Sequence, residues 1–182
     1  MKDETMKKNV VFVCTGNTCR SPMAEYLFRQ KAESLGLYKL KVYSAGIKAK
    51  RGDKMNEKSA QILTEKGFDV LSFASRKVDK RILKDSLAII CMTDSQRDTL
   101  MEMRWKALRE AGAEEIENNV YSFSDITGYQ VLDPYGRDMD CYRYVFELLA
   151  GGMSALMDKI VPENIRAAFI KKPRATKKKK TV

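Results

Sequence analysis

Val10-Val11-Phe12-Val13-Cys14-Thr15-Gly16-Asn17-Thr18-Cys19-Arg20-Ser21-Pro22 passes without a break from an apolar run into a small polar loop. Residues 10–13 read as a short buried strand. Ser21-Pro22-Met23-Ala24-Glu25-Tyr26-Leu27-Phe28 reads as the first turns of a helix. A strand ending on a cysteine, followed by a loop ending on an arginine at a helix start, predicts an anion cradle with a nucleophile at its base. Backbone N–H groups and the helix dipole favour an oxyanion there. The same field favours the thiolate of Cys14, its reactive form. The chemistry this loop points to is phosphoryl transfer.

Outward from the loop, strand and helix patterns alternate. Apolar runs rich in branched residues occur at 10–14, 40–44, 87–92 and 120–123, and helical patterns at 22–35, 57–66, 95–109 and 138–159. Such alternation predicts an α/β fold, a parallel sheet with helices on both faces. Open sheets of this kind bind ligands at the carboxyl ends of their strands, where the Cys14 loop lies. Residues 47–54 form a basic, glycine-containing loop outside the pattern. Whether 162–170 prolong the last helix past Pro162 is open.

The chain has 182 residues, room for one domain with a real core, expected over 1–161. It carries a net charge of +10, but unevenly. Residues 162–182 hold six lysines and two arginines against one glutamate, a net of +7, so only +3 is left to the body. The excess is a basic tail over 162–182, expected to be disordered, with its low-complexity part at 171–182. No apolar run is long enough to span a membrane or to form a signal-peptide core. The expected location is therefore cytoplasmic, with the four cysteines catalytic or simply buried. There is no histidine, which excludes Ser-His-Asp and Cys-His catalysis and histidine-ligated metals. The cysteines also lack the paired C-x-x-C spacing of a structural zinc site. Neither cofactor nor metal is expected.

C-x5-R alone is weak, since Cys91-Met92-Thr93-Asp94-Ser95-Gln96-Arg97 repeats it after another strand candidate. That copy has no glycine, and Asp94 would oppose a phosphate; Thr93 or Asp94 suits a helix N-cap instead. Cys91 is therefore read as structural. In the first copy Gly16 allows close backbone approach and Asn17 tolerates a left-handed conformation. Ser21 is placed to donate to the sulfur of Cys14, and Arg20 to grip two phosphoryl oxygens. The second element is Asp133-Pro134-Tyr135-Gly136. Without histidine, a carboxylic acid is the natural proton donor to a leaving group, and the turn residues around Asp133 would fix its direction.

CTGNTCRSPMAE at 14–25, Ser44-Ala45-Gly46 after the second strand, and the late Asp133-Pro134 together resemble the low-molecular-weight protein phosphatases. The similarity runs in order over about 8–160. It implies a three-layer α/β sandwich on a four-stranded parallel sheet, no metal, and a covalent phosphocysteine intermediate. By matching positions Cys14 is the nucleophile, Arg20 the phosphate and transition-state clamp, and Asp133 the general acid. Asn17 and Ser21 shape and tune a phosphate-binding loop that also includes Thr15, Gly16, Thr18 and Cys19, and Tyr135 is either one wall of the cleft or a surface aromatic in a turn. Phosphate or other oxyanions would occupy the loop, and phosphorylated proteins would be the substrates.

Thr18 discriminates between substrates. Tyrosine-directed members usually carry a larger aliphatic residue there, and CTGNTCRS looks like the protein arginine phosphatases. A smaller polar side chain suits a flat phosphorylated guanidinium, with Asp133 available to pair with it. Phosphoarginine is therefore the expected substrate and phosphotyrosine the alternative. Many relatives have a histidine near Phe73 that braces the loop asparagine; here Ser44 is the available substitute. Arg137-Asp138 is a further departure, at the pocket rim. Cys19 is either a redox partner of Cys14 or a buried thiol. The related thioredoxin-linked arsenate reductases need further resolving cysteines, and Cys91 and Cys141 lie fifty residues apart. A different class, polyanion binding through the lysine tail, rests on charge alone, with no aromatic between 171 and 182 to stack on bases.

Overall fold

Four strands, β1 (Asn9–Cys14), β2 (Lys41–Gly46), β3 (Ser86–Cys91) and β4 (Val120–Ser122), pair in parallel in the order β2-β1-β3-β4. The computed structural model describes residues 6–114 and 116–170. The helices among them are α1 (Arg20–Ser34), α2 (Glu57–Glu65), α3 (Lys80–Asp85), α4 (Asp94–Glu110), α5 (Phe123–Thr127), α6 (Met139–Ile160) and α7 (Glu163–Arg166). A 3₁₀ turn, Ala167–Phe169, follows.

The period-2 alternation of β1 divides the interior. Val10, Phe12 and Cys14 face one core, built with α1, α2 and α6, where the rings of Phe12 and Phe28 meet at 5.3 Å. Val11 and Val13 face a second, smaller core under α3 and α4. Both faces of the sheet are thus covered, which gives the expected three-layer α/β sandwich. The chain steps outward from β1 to β2, then returns across β1 to β3. That reversal opens a crevice at the carboxyl end of β1, and Cys14 is the last residue of β1.

The four expected helices are present as α1, α2, α4 and α6. Three short ones were not anticipated, because four to six residues are too few to display a helical period. Of the expected tail, residues 163–169 form α7 and the 3₁₀ turn, and Phe169 is fully buried in the main core. Ile165, Ala168 and Phe169, spaced i, i+3, i+4, make the apolar face that docks there. The Phe169 carbonyl also accepts from Lys39 N at 2.9 Å. Residues 171–182, which hold the lysine run, lie outside the described residues. No described helix is long and apolar enough to cross a membrane.

Candidate active site

The loop from Cys14 to Arg20 is held by its carbonyls. Cys14 O accepts from Ile47 N at 3.0 Å, Thr15 O from Lys48 N at 2.8 Å, and Thr18 O from Asn56 N at 2.9 Å. All peptide bonds are trans among the described residues. In a trans peptide the next N–H points opposite to the carbonyl. The amides of Thr15, Gly16 and Cys19 are therefore turned away from these anchors and remain available to an anion. Asn17 has φ 57°, the one non-glycine residue with positive φ among those described, and its own N–H points back to Cys14 Sγ at 3.2 Å.

Under the loop lies a chain of hydrogen bonds that ends on the sulfur. Asn17 Nδ2 donates to Ser44 Oγ at 2.8 Å and to Ser21 Oγ at 3.0 Å. Ser21 Oγ is 3.0 Å from Cys14 Sγ, and Ser44 Oγ donates to Glu25 Oε2 at 2.6 Å. Glu25 is in turn paired with Arg29. The other end of the Asn17 amide, Oδ1, accepts from Arg76 N at 2.8 Å. Ser44 thus supports Asn17, as the sequence suggested, and Phe73 packs against the main core. Ala45 O lies 3.3 Å from Ser21 Oγ. At Gly46 a Cβ would sit 2.7 Å from Thr15 O, so the strand's last glycine lets the loop lie directly on it. Gly16 is uncrowded by comparison: a Cβ there would meet only Thr18 Oγ1, at 3.6 Å.

Arg20 is the first residue of α1 and is buried. Its guanidinium donates to Val131 O at 3.3 Å and forms an ion pair with Asp133. The Asp133 side chain is about half exposed, and its Oδ1 accepts from Tyr135 N at 3.1 Å, an Asx turn that sets its direction. Cys14, Thr15, Gly16, Thr18, Cys19, Arg20, Asp133 and Tyr135 line one cavity of about 260 Å³. A sulfur at the base, a guanidinium at the side and a carboxyl at the mouth can attack, clamp and protonate a phosphoryl ester or amidate.

Cys19 lines the same cavity as Cys14, with Tyr142 Oη 3.5 Å from its sulfur. Burial pushes its thiol above the ordinary value, an effect the Tyr142 hydrogen bond only partly offsets. All four cysteines are free. Cys91 is wholly buried in the smaller core, on the opposite sheet face from Cys14, and Thr93 caps α4 by accepting from Gln96 N. The second C-x5-R thus forms no cradle. Cys141 lies on α6, partly exposed. No group of three or more His, Cys, Asp or Glu side chains placed to hold a metal ion occurs among the described residues.

Sequence reasoning missed two supports. Glu25 anchors the buried chain from the first turns of α1; its place four residues before Arg29 signalled only a helix-surface pair. Gln96, in the first turn of α4, donates to Thr15 Oγ1 at 3.1 Å and accepts from Met92 N at 3.1 Å. It joins the loop to the end of β3, and nothing in its local pattern indicates this.

The low molecular weight phosphotyrosine protein phosphatase family matches residues 9–167. A protein-arginine-phosphatase of Bacillus subtilis is 31% identical over 74% of this chain and 85% of its own. A low molecular weight protein-tyrosine-phosphatase of Acinetobacter johnsonii is 30% identical over 72% of this chain and 82% of its own. Among solved structures, the YwlE arginine phosphatase, in a mutant form with a phosphorylated active site serine, superposes with TM-score 0.74 at 27% identity. It covers 87% of this chain and 99% of its own.

Proposed function

The chain belongs to the low molecular weight phosphotyrosine protein phosphatase family, and from that premise we propose that it hydrolyses phosphoarginine in proteins through a phosphocysteine at Cys14. The observation that carries the mechanism is the cavity that gathers Cys14, Arg20 and Asp133. An incoming phosphoryl group competes for the Arg20 guanidinium and displaces Asp133 from its ion pair. The sulfur of Cys14 attacks phosphorus in line. Released from Arg20, the Asp133 carboxylate takes a proton from solvent; as the P–N bond breaks, its electron pair goes to the departing guanidine nitrogen, which takes that proton from Asp133. Asp133, now a carboxylate, removes a proton from water, and the oxygen attacks phosphorus. The P–S bond breaks with its electrons returning to Cys14, and phosphate leaves. Loop amides and Arg20 stabilise the equatorial oxygens in both steps.

The guanidinium assignment is supported by Thr18 in the cavity wall, short and polar, and by an Asp133 carboxylate that already holds one guanidinium, that of Arg20. It also draws on the B. subtilis relative's activity. Free cysteines suit a reducing compartment, and the cytoplasm is the proposed location. The test compares hydrolysis of phosphoarginine and phosphotyrosine peptides by the wild type and Thr18→Ile. The wild type should prefer phosphoarginine, and Thr18→Ile should shift the ratio toward phosphotyrosine by roughly 10-fold or more. A wild-type preference for phosphotyrosine would assign the tyrosine reading and leave the Cys14 chemistry standing.

A further inference from the structure

The basic loop at 47–54 is fastened to the catalytic loop. Ile47 N and Lys48 N bond the carbonyls of Cys14 and Thr15, and Asn56 N bonds that of Thr18. Between these anchors the loop is closed on itself and on its neighbour. Gly52 N donates to Ser75 O and Ser75 N to Asp53 O, both at 2.9 Å, and Ser75 Oγ donates to Lys50 O. Ala49 and Met55 are buried, which pins the backbone from below. Lys48, Lys50, Arg51 and Lys54 are left on the outside, all exposed, with no ion pair to any described residue. Asp53 is the only acid within the loop.

The pinned backbone keeps these four unpaired charges close together, where they repel one another and sum to a local positive field. Consecutive Cα atoms are about 3.8 Å apart, so Lys50 follows within about 8 Å of a residue bonded to Thr15. A groove of about 560 Å³ shares Thr15, Arg20 and Asp133 with the catalytic cavity and is continued by Thr93, Ser95, Gln96 and Gln130, all neutral. None of the four loop cations lines the groove or the cavity, so they stand outside the phosphate cradle itself.

We propose that the 47–54 loop is a docking rim for acidic residues flanking the phosphorylated residue of substrate proteins, so that the enzyme selects phosphosites in acidic segments. This rests on the phosphatase reading above. A bound acidic flank pairs with Lys50, Arg51 and Lys54 while the phosphorylated side chain enters the cavity. Exposed pairs of this kind are individually weak and screened by salt, and they act on capture more than on the bond-breaking step.

The test measures kcat/KM on three substrates: a phosphopeptide with glutamates on both flanks, the same peptide with lysines, and p-nitrophenyl phosphate. The full chain is used as wild type and as Lys50→Glu/Arg51→Glu/Lys54→Glu, so residues 171–182 are common to both. The wild type should favour the acidic peptide by on the order of 10-fold at low ionic strength. The advantage should appear in KM and disappear at about 0.5 M salt. The variant should reverse it while hydrolysing p-nitrophenyl phosphate at the wild-type rate. Equal rates on the two peptides, or a preference that survives the triple substitution, would overturn the proposal. So would a single-stranded RNA that inhibits the wild type more strongly than an unphosphorylated acidic peptide and spares the variant, since the rim would then serve nucleic acid. Absence of p-nitrophenyl phosphate hydrolysis by the wild type would instead sink the phosphatase reading itself.

Discussion

A Cβ on Gly46 would lie 2.7 Å from Thr15 O, 2.8 Å from Asn17 N and 2.9 Å from the Ala49 Cβ. Two of these neighbours are backbone atoms of the Cys14–Arg20 loop, which can yield only by shifting the loop itself. Gly46→Ala should therefore displace the loop from β2, at about 1–3 kcal/mol of stability, and turnover should fall with it. Gly16→Ala, whose added methyl meets only a side-chain oxygen at 3.6 Å, should leave the melting temperature unchanged. Melting curves of the two variants decide the matter: equal stability would contradict the contact assigned to Gly46. The sequence made Gly16 conspicuous because it lies inside the motif. The demand on Gly46 comes from a neighbouring strand and cannot be read locally.

At the scale of elements, the sulfur is positioned by a helix, a strand and a loop acting through one hydrogen-bonded chain. α1 supplies Ser21 and Glu25, β2 supplies Ser44, and the loop supplies Asn17 between them. Ser44→Ala removes the acceptor of one Asn17 N–H and leaves a Glu25 oxygen short of a donor in a buried site. The expected cost is about 1–3 kcal/mol, with turnover of p-nitrophenyl phosphate lowered by roughly 10-fold as Asn17 loosens. Steady-state kinetics and chemical denaturation check both parts, and unchanged kcat would show that Ser21 Oγ and Arg76 N suffice to hold Asn17. Ser44 was legible because the missing histidine posed a question that a nearby hydroxyl on β2 answered. Glu25 and Gln96 were not, since each acts across a gap set by how α1 and α4 pack on the sheet.

For the whole molecule, buried thiols link stability to pH. Burial in the smaller core pushes the Cys91 thiol far above its ordinary value, and burial raises Cys19 as well. In the unfolded chain both ionise near about pH 8.5, while the folded chain keeps Cys91 protonated well beyond that and moves Cys19 in the same direction. Their contribution is thus fully present below about pH 8.5 and is lost as pH rises, because unfolding then releases protons. The slope is up to about 1.4 kcal/mol per pH unit for each thiol. Urea unfolding should give a level stability near neutrality and a decline above about pH 8.5, shallower in Cys91→Val. An equal slope in that variant would remove Cys91 from the account. What the sequence alone determined was the parallel α/β sandwich and the identity of the chemical groups, because a strand–loop–helix motif and alternating periods are local properties of the chain. Only the tertiary structure decided which groups meet. The pairing of Asp133 with Arg20, the fastening of the 47–54 loop to the Cys14–Arg20 loop and the docking of Phe169 all join residues remote in sequence, and their contacts depend on packing that no local pattern encodes.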